Sequence, residues 1–408
     1  MRIGLFTDIY SPYINGVVTS VQQLEKELIK HGHEVYIITS SSYRSIKRDG
    51  NVIRMPGIVL KKLYGYPASG FYSVFGAHHI KKLNLDVIHA HTEYGIGIFA
   101  RIIAFELSLP LVYTYHTMME DYSHYVTKIT YGHFQKQIKQ FFVTTSKLYA
   151  DKCTELIVPS QKTAEVMIKY GVKNTINVIP TGIDLAAFSS HLFKESDIQK
   201  LRDSYHIKQD DFIAIFVGRI APEKSVEEII EAFKIIRDRG KTNIKLLVIG
   251  AGPSLDDITS LVKQYQLQNH VHLLGAIPHD DIGIYYQMSD VFVSTSTTET
   301  QGLTFIEAMA SNLPVLCKHD KNLEEVVINQ ENGFFVKDIT DLADHLIFLE
   351  KMDQYEYNRY GQRARESANK FSSTNFYEKV MVVYDNAIRS KRRESFKASK
   401  DSKRKKLM

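Results

Sequence analysis

The chain has 408 residues, of which 44% are hydrophobic and 24% are charged, and its net charge is +5. This length predicts roughly two or three domains with their own cores, and the composition excludes long disorder, collagen-like repeats and coiled coil. Residues 389–408 carry +8, which leaves −3 for residues 1–388, so the basic character belongs to a tail.

The sequence disfavours export and membrane insertion. No apolar run approaches the roughly 20 residues that span a bilayer, and Met1 leads directly into a strand-like segment rather than a signal peptide. Cys153 and Cys317 lie 164 positions apart without a Cys/His cluster, which supports neither a disulfide scaffold nor a structural zinc site. We therefore expect a cytoplasmic protein without a bound metal.

The chain alternates apolar strands with amphipathic helices. Residues 3–7 predict a buried strand, and apolar residues at helical spacing after Gly16 predict a helix that Gly32 ends. A strand at 35–38 follows, and this order is typical of a parallel sheet with right-handed crossovers. Further strands are predicted at 86–90, 111–115, 155–158 and 176–179, and in a second series at 212–217, 245–249, 271–274, 291–294 and 314–317.

The expected fold is α/β, with two Rossmann-like parallel-sheet domains facing a cleft. We expect an N-terminal domain over 1–185, a C-terminal domain over 186–369, a helix over 370–388 that packs back on the first domain, and a disordered tail over 389–408. Ligands of open parallel sheets bind beyond the carboxyl ends of the strands. The residues just after each strand are therefore the candidate site residues.

The strongest motif places Glu299 and Glu307 eight positions apart after a predicted strand. A helix that begins near Gly302 would offer the amides of residues 301–304 to an anion, for which a diphosphate is the obvious candidate. Glu299 would face a polyhydroxylated group, and Glu307 could accept hydrogen bonds from a ribose. Thr304 and Glu307 also match a capping box, and the spacing alone leaves both interpretations open.

A second anion site is indicated directly after the strand at 212–217. Arg219 offers a planar fork of donors and Lys224 a point charge, which suits the two phosphates of a diphosphate. The alternative is a surface turn in which Glu223 pairs with Arg219.

The first domain contributes weaker signals. Gly16 precedes a helix and would let a phosphate approach the backbone closely. His116 stands at a strand end, where it could contact a reacting centre or be structural. His89 and His91 could point to one side of a strand end, and we favour hydrogen bonding over metal binding because no third ligand is apparent.

Two nucleotide-binding motifs are incomplete or missing. Gly250-Ala251-Gly252 begins like a dinucleotide fingerprint but lacks the third glycine and the later acidic residue, which disfavours hydride transfer. The phosphate-binding motif of P-loop ATPases and GTPases does not occur.

Taken together, six motifs resemble the family-4 retaining glycosyltransferases of GT-B fold, in order and spacing over residues 1–388. The motifs are Asn15-Gly16, Tyr115-His116-Thr117, residues 180–184, Gly218-Arg219 with Lys224, residues 250–253, and Glu299 with Glu307. Within that family, residues 91–94 and 115–122 resemble bacterial diacylglycerol glucosyltransferases.

The resemblance implies transfer of a hexose, glucose from UDP-glucose, to diacylglycerol with retention, without a metal or a permanently bound cofactor. It implies that Arg219 and Lys224 neutralise the diphosphate, that Glu307 binds the ribose, and that Glu299 and His116 act at the sugar. The residues implied to bind the donor are Gly16, Arg219, Lys224, Ala276, Ile277, Glu299, Gln301, Gly302, Leu303 and Glu307.

A lipid acceptor requires contact with a bilayer, and two stretches without Asp or Glu are typical of an interfacial surface. Residues 51–85 and 122–150 mix basic and aromatic side chains, although aromatic residues at helical spacing could also pack in the core. The candidate membrane contacts are Lys128, Lys136, Lys139, Phe141 and Phe142. We expect a peripheral location on the inner face of the cell membrane, with anionic lipid as a partner.

Other functions stay open at this point. A family-4 glycosyltransferase with a soluble, polysaccharide or teichoic acceptor would share the donor site, and a sugar-nucleotide epimerase would use the same scaffold without an acceptor. A protein that binds polyanions through its basic tail is a third alternative. We expect no nucleic-acid partner, because residues 1–388 carry a net −3.

Overall fold

The structure is a computed structural model that describes residues 1–13, 15–60, 66–116, 135–299, 301–321 and 323–406. The chain divides into two compact units. The first contains Met1–Gly182 and Ser373–Met408, and the second contains Ile183–Ser372. These limits lie three residues from the boundaries expected at 185/186 and 369/370.

The first unit is built around a mainly parallel sheet. Its strands are β1 (Arg2–Thr7), β2 (Glu34–Ser40), β3 (Lys47–Asp49), β4 (Val52–Met55), β5 (Gly57–Leu60), β6 (Tyr66–Ser69), β7 (Val87–Ala90), β8 (Leu111–Thr114), β9 (Glu155–Val158) and β10 (Ile176–Val178). The helices between them are α1 (Gly16–Lys30), α2 (Val74–Lys81), α3 (Gly95–Glu106), α4 (Gln135–Lys152) and α5 (Gln161–Lys169). The sheet order is β10-β9-β8-β7-β1-β2-β4-β3, in which only the β3–β4 pair is antiparallel, and β5 and β6 form a separate antiparallel pair.

The second unit contains a parallel sheet in the order β13-β12-β11-β14-β15-β16. Its strands are β11 (Phe212–Val217), β12 (Ile244–Ile249), β13 (Val271–Gly275), β14 (Val291–Ser294), β15 (Val315–Lys318) and β16 (Gly333–Val336). Its helices are α6 (Glu195–Ser204), α7 (Val226–Asp238), α8 (Leu255–Gln264), α9 (Ile282–Met288), α10 (Leu303–Ala310), α11 (Ile339–Glu350) and α12 (Gln354–Ala368).

Both sheets reverse their strand order at one point. In the second unit the reversal lies between β11 and β14, and in the first unit it lies between β1 and β7. Ligands of doubly wound sheets bind at such switch points, beyond the carboxyl ends of the strands. The fold therefore directs attention to the loops after β11 and β14 in one unit, and after β1 and β7 in the other.

The strands are buried on both faces. Along β11, Ile213 and Ile215 belong to one apolar core, and Ala214 and Phe216 belong to the core on the opposite face. Strands covered by helices on both faces read as continuous apolar runs rather than as alternating patterns. This burial explains why the predicted strands all occur, with ends that differ from the predictions by at most two residues.

Some elements of the described chain escaped prediction. β3 consists of Lys47, Arg48 and Asp49, and a fully charged segment carries no apolar signal. The short strands β4, β5, β6 and β16 were also missed. In contrast, Gly32 lies after the end of α1 with φ of +78°, which is the conformation expected of a glycine that ends a helix.

A long last helix, α13 (Ser373–Lys406), belongs to the first unit, where it packs against α1. Val380, Val383 and Ala387 are buried in the core that also contains β1. Residues 389–406, for which we expected disorder, are helical in this structure, so that expectation was wrong. The sequence of α13 contains neither glycine nor proline, and extending a helix that already packs on a core avoids the cost of nucleation.

None of the helices within the described ranges combines the length and the apolar composition that a membrane span needs.

Candidate active site

The start of α10 has the features of an anion site. Gly302, which precedes the helix, adopts the left-handed conformation with φ of +75°, and a Cβ there would lie 2.8 Å from Leu323 Cδ2. Phe305 N donates to Gly302 O at 3.1 Å, so the amides of Leu303 and Thr304 precede the first turn's hydrogen bonds. Its N-cap residue is this glycine, which has no side chain to accept from the first amides. Amides that lack a partner within the helix, together with the positive helix end, suit a phosphate.

Glu307 lies in the second turn of α10, and its side chain is 4% exposed. His279 Nε2 lies 3.0 Å from Glu307 Oε1, and the hydroxyl of Tyr286 donates to Glu307 Oε2 at 3.0 Å. The capping-box interpretation is therefore wrong, because the helix begins at Leu303 and places Thr304 inside its first turn. Neither partner of Glu307 was predicted from the sequence, since they lie 28 and 21 positions before it.

The loops after β11 and β14 meet at the switch point of the second unit. Lys224 Nζ donates to Glu299 Oε1 at 2.5 Å, with side-chain exposures of 22% and 13%. Thr295 Oγ1 donates to the carbonyl of Ser225 at 2.7 Å and joins the same two loops. Residues 75 positions apart in sequence thus form one charged group beside the start of α10.

Arg219 lies on the loop after β11 and forms an ion pair with Glu223. The pair that we considered as the alternative to an anion site is therefore present. Its existence does not decide between the two interpretations, because the guanidinium carries five donors and its side chain stays 34% exposed.

Two other residues were predicted to bind the donor at this helix start. Gln301 is buried, and Leu303 is half-buried. On the loop after β13, Ala276 is exposed and Ile277 is half-buried. Gly250 N donates to Gly275 O at 2.8 Å and ties that loop to the end of β12. All these positions lie at the carboxyl edge of the same sheet.

The glycines of residues 250–252 have a packing role in this structure. A Cβ on Gly250 would lie 1.8 Å from the carbonyl oxygen of Gly218, and one on Gly252 would lie 2.1 Å from that of Ile220. Ile220 N donates to Ala251 O at 3.0 Å. The pair of glycines lets the loop after β12 approach the loop that carries Arg219.

We expect Gly250→Ala to lower the free energy of unfolding by about 2–4 kcal/mol, since its φ of +148° and its backbone contact both resist a side chain. Gly240→Ala is the control: its φ is +75°, but its Cβ would meet nothing within 4 Å, so its cost should be about 1 kcal/mol. Thermal unfolding measures both. Equal shifts of the midpoint would contradict the packing role.

In the first unit, Gly16 begins α1 and is exposed. Asn15 caps this helix, because its side-chain oxygen accepts from Val18 N at 3.0 Å. The loop thus ends at a helix start, as the sequence predicted, and the cap by Asn15 is an additional finding.

His116 follows β8 and belongs to a cluster of histidines. Its Nε2 lies 3.0 Å from His91 Nδ1, and the ring of His91 lies 4.0 Å from that of His89. His89 bonds to the hydroxyls of Tyr384 and Thr114 at 2.8 and 2.7 Å, so the predicted hydrogen bonding of His89 and His91 is confirmed. Burial lowers the pKa of His116 to about 4, which keeps the imidazole neutral at physiological pH.

Two acidic residues at the switch point of the first unit were missed. Asp8, directly after β1, accepts from Ile96 N at 2.7 Å and thereby caps α3. Glu93, after β7, accepts from the hydroxyl of Tyr113 at 2.7 Å, and burial raises its pKa to about 7. Asp8 follows β1 directly and Glu93 lies three positions after the end of β7, and these positions after strands were the available signal.

The candidate membrane contacts are only partly described. Lys128 and the side chain of Lys136 lie outside the described residues. On α4, Lys139 and Phe141 are exposed and Phe142 is half-buried, so these aromatic residues are not core residues. The same holds for Phe71, Tyr72 and Phe75, with exposures of 61%, 44% and 78%.

Comparison with known proteins identifies the class. The family "Glycosyltransferase Family 4" matches residues 14–187, and the family "Glycosyl transferases group 1" matches residues 197–367. The crystal structure of Anabaena HepE in complex with UDP and glucose superposes with a TM-score of 0.73, at 18% identity, over 94% of this chain and 99% of that one. The fold is that of the GT-B glycosyltransferases.

Two relatives are closer in sequence. The chain is 37% identical to the alpha-monoglucosyldiacylglycerol synthase of Acholeplasma laidlawii, over 86% of this chain and 88% of that protein. It is 32% identical to the protein of the same name from Streptococcus pneumoniae, over 95% of this chain and 86% of that protein. The chain belongs to the family-4, group-1 glycosyltransferases, as its motifs predicted.

Proposed function

We propose that the protein is a retaining hexosyltransferase that moves glucose from UDP-glucose to diacylglycerol and forms an α-glucosyl-diacylglycerol. The contact between Lys224 and Glu299, three residues before the N-cap glycine of α10, carries the proposal. The names of the two relatives support the product. The UDP-glucose complex of HepE supports the donor.

The proposed donor site uses the charged group at the switch point of the second unit. Arg219, Lys224 and the amides at the start of α10 bind the diphosphate, and Gly16 allows a phosphate close to the backbone. Glu307 accepts hydrogen bonds from the ribose, and Glu299 accepts them from hydroxyls of the sugar. The base lies against the backbone of residues 276–277.

The proposed reaction takes place on one face of the sugar. The bond between the anomeric carbon and the diphosphate oxygen breaks, and a bond to the acceptor oxygen forms on the same face. The departing diphosphate accepts the proton of the acceptor hydroxyl, while His116 contacts the sugar. The catalytic task is then to stabilise negative charge on the diphosphate, which Lys224 and Arg219 perform without a metal.

A purified-protein assay tests this function. UDP-[14C]glucose is supplied with diacylglycerol vesicles, and the anomeric configuration of the product is read by NMR. We expect label in an α-linked glycolipid. Transfer only to water-soluble acceptors would contradict the lipid acceptor, a β product would contradict retention, and isomerised donor without acceptor would identify an epimerase.

An apolar surface on the first unit supports access to a bilayer. Its exposed side chains belong to β5, to the loop after β6 and to the start of α2, and they are Ile58, Val59, Phe71, Tyr72, Val74 and Phe75. Of these, Tyr72, Val74 and Phe75 also line a hollow of about 380 Å³, together with Met55 and Pro56. Exposed apolar residues within a stretch free of acids suit the inner face of the cell membrane.

We expect wild-type protein to float with anionic vesicles at low salt and to be released by about 0.5 M salt. The double variant Phe71→Ser/Phe75→Ser should bind at least ~10-fold more weakly, because two aromatic side chains no longer enter the interface. Tyr355→Ser on α12 is the control, since Tyr355 is 73% exposed but lies in the second unit. Wild-type protein that stays with the aqueous fraction would contradict membrane binding.

A further inference from the structure

Glu307 is a buried carboxylate. Within the described residues its ion-pair partner is His279, and no Lys or Arg pairs with it. Its two oxygens are held from different elements: His279 lies in a single 3-10 turn after β13, and Tyr286 lies on α9. Burying an ionised carboxyl is costly unless donors compensate for the lost water. His279 and Tyr286 supply those donors.

The geometry leaves Glu307 with free acceptor capacity. An ionised carboxylate accepts about four hydrogen bonds, and the two protein donors occupy one on each oxygen. About two remain, which is the number that the vicinal hydroxyls of a ribose require.

The imidazole of His279, which bonds to Glu307, also packs against an aromatic ring. The ring of Phe188 meets those of His279 and Tyr286 edge-on, with centroid distances of 6.1 and 5.8 Å. Since the carboxylate only accepts hydrogen bonds, Nε2 of His279 must carry the proton in this contact. Glu307 in turn raises the pKa of His279, against the effect of burial and with a smaller contribution from Asp280.

We propose that His279 is a positioning residue that aims Glu307 at the donor ribose and links this carboxylate to the loop that binds the base. His279 comes two residues after Ile277, so one short segment bears on both parts of the nucleoside. The inference rests on the proposed function, because it requires a nucleotide at Glu307. It adds a residue outside the motifs that define the donor site.

The role predicts a specific kinetic pattern. Ribose contacts are equally strong in the ground state and the transition state, so His279→Ala should raise KM for the donor ~10-fold and leave kcat within ~2-fold. His279→Gln should retain most of the affinity, because its amide nitrogen can replace Nε2, whereas His279→Asn is too short. A residue needed only for folding would not show rescue by glutamine alone.

Two measurements test the proposal. In the first, the affinities of the wild-type protein and of His279→Ala for UDP and for 2′-deoxy-UDP are measured by calorimetric titration, which gives a double-mutant cycle. Tyr286→Phe is measured in the same way as a second variant. We expect each variant to weaken UDP ~10-fold and 2′-deoxy-UDP only ~3-fold, because the deoxy analogue already lacks one of the two hydroxyls that contact Glu307. Independently of nucleotide, NMR titration should show a lower pKa of His279 in Glu307→Gln than in the wild-type protein.

The outcomes separate the two proposals. Wild-type protein that binds neither nucleotide overturns the proposed donor, and this inference with it. Wild-type binding with equal losses for UDP and 2′-deoxy-UDP in both variants overturns the role of His279 alone. An unchanged pKa of His279 in Glu307→Gln overturns the contact itself, and thermal midpoints close to that of the wild type show that the variants fold.

Discussion

Lys224→Ala should lower turnover by roughly 30- to 1000-fold, because a lost cation contact to a departing diphosphate costs about 2–4 kcal/mol of barrier. The structure places Lys224 Nζ 2.5 Å from Oε1 of Glu299, the carboxylate proposed to bind the sugar, which lies three residues before the N-cap of α10. Arg219→Ala should lose turnover in the same range, since its guanidinium lies on the same loop.

The matched control is Lys241→Ala. Lys241 and Glu350 form an ion pair at 2.8 Å with side-chain exposures of 25% and 14%, close to the 22% and 13% of Lys224 and Glu299. Partly exposed pairs of this kind contribute about 1 kcal/mol or less, so both variants should shift the thermal midpoint equally. Only Lys224→Ala should lose turnover, because Lys241 precedes β12 at the amino edge of the sheet. Near-full activity of both Lys224→Ala and Arg219→Ala would remove the diphosphate assignment.

The sequence predicted the strands and the loops that follow them because these signals are local. The apolar residues from Phe212 to Val217 indicate by themselves that this strand is buried. A glycine at position 302 likewise indicates a left-handed backbone conformation there. The family motifs are local in the same sense. Each lies within a few residues of a strand end, where the fold of open sheets places ligands.

The partners of the motif residues could not be predicted, because they depend on strand order. Lys224 meets Glu299 only because β11 and β14 are neighbours at the switch point, although they are separated along the chain by β12 and β13. Glu307 and His279 follow β14 and β13, which are consecutive along the chain but are separated in the sheet by β11 and β12, so their contact depends on how the loop after β13 reaches α10. A capping box was an equally good local interpretation of Glu307, and only the position of the helix start decides against it.

The tail shows the opposite failure. Composition predicted disorder for residues 389–408, but a helix that is already packed through residues such as Tyr384 continues to Lys406. Charge patterning describes a segment in isolation, and it carries no information about the helix that precedes it. A membrane-binding role of this segment would then involve a helix rather than an extended chain.

His116→Ala should lower kcat by about 100-fold and leave the affinity for UDP within about 2-fold, because the imidazole is proposed to contact the transferred sugar and not the nucleotide. The ring is held by His91 at 3.0 Å, so the loss removes a positioned group rather than a mobile one. His270→Ala is the control. His270 is buried and, like His116, hydrogen-bonded, in its case to the carbonyl of Ile244, but it lies at the amino edge of its sheet, so its loss should cost stability without affecting kcat.

The pH profile of kcat separates a neutral contact from acid–base catalysis by His116. Burial lowers its pKa to about 4, so the ring gains its proton only as the pH falls toward that value and stays neutral above about pH 5. We therefore expect the pH profiles of kcat for the wild-type protein and for His116→Gln to have the same shape near pH 6.5. A bend that is present in the wild-type profile and absent from that of His116→Gln would contradict this. Such a bend would show that the imidazole titrates at its ordinary pKa during turnover, and His116 would then exchange a proton with the substrates instead of stabilising the sugar as a neutral donor.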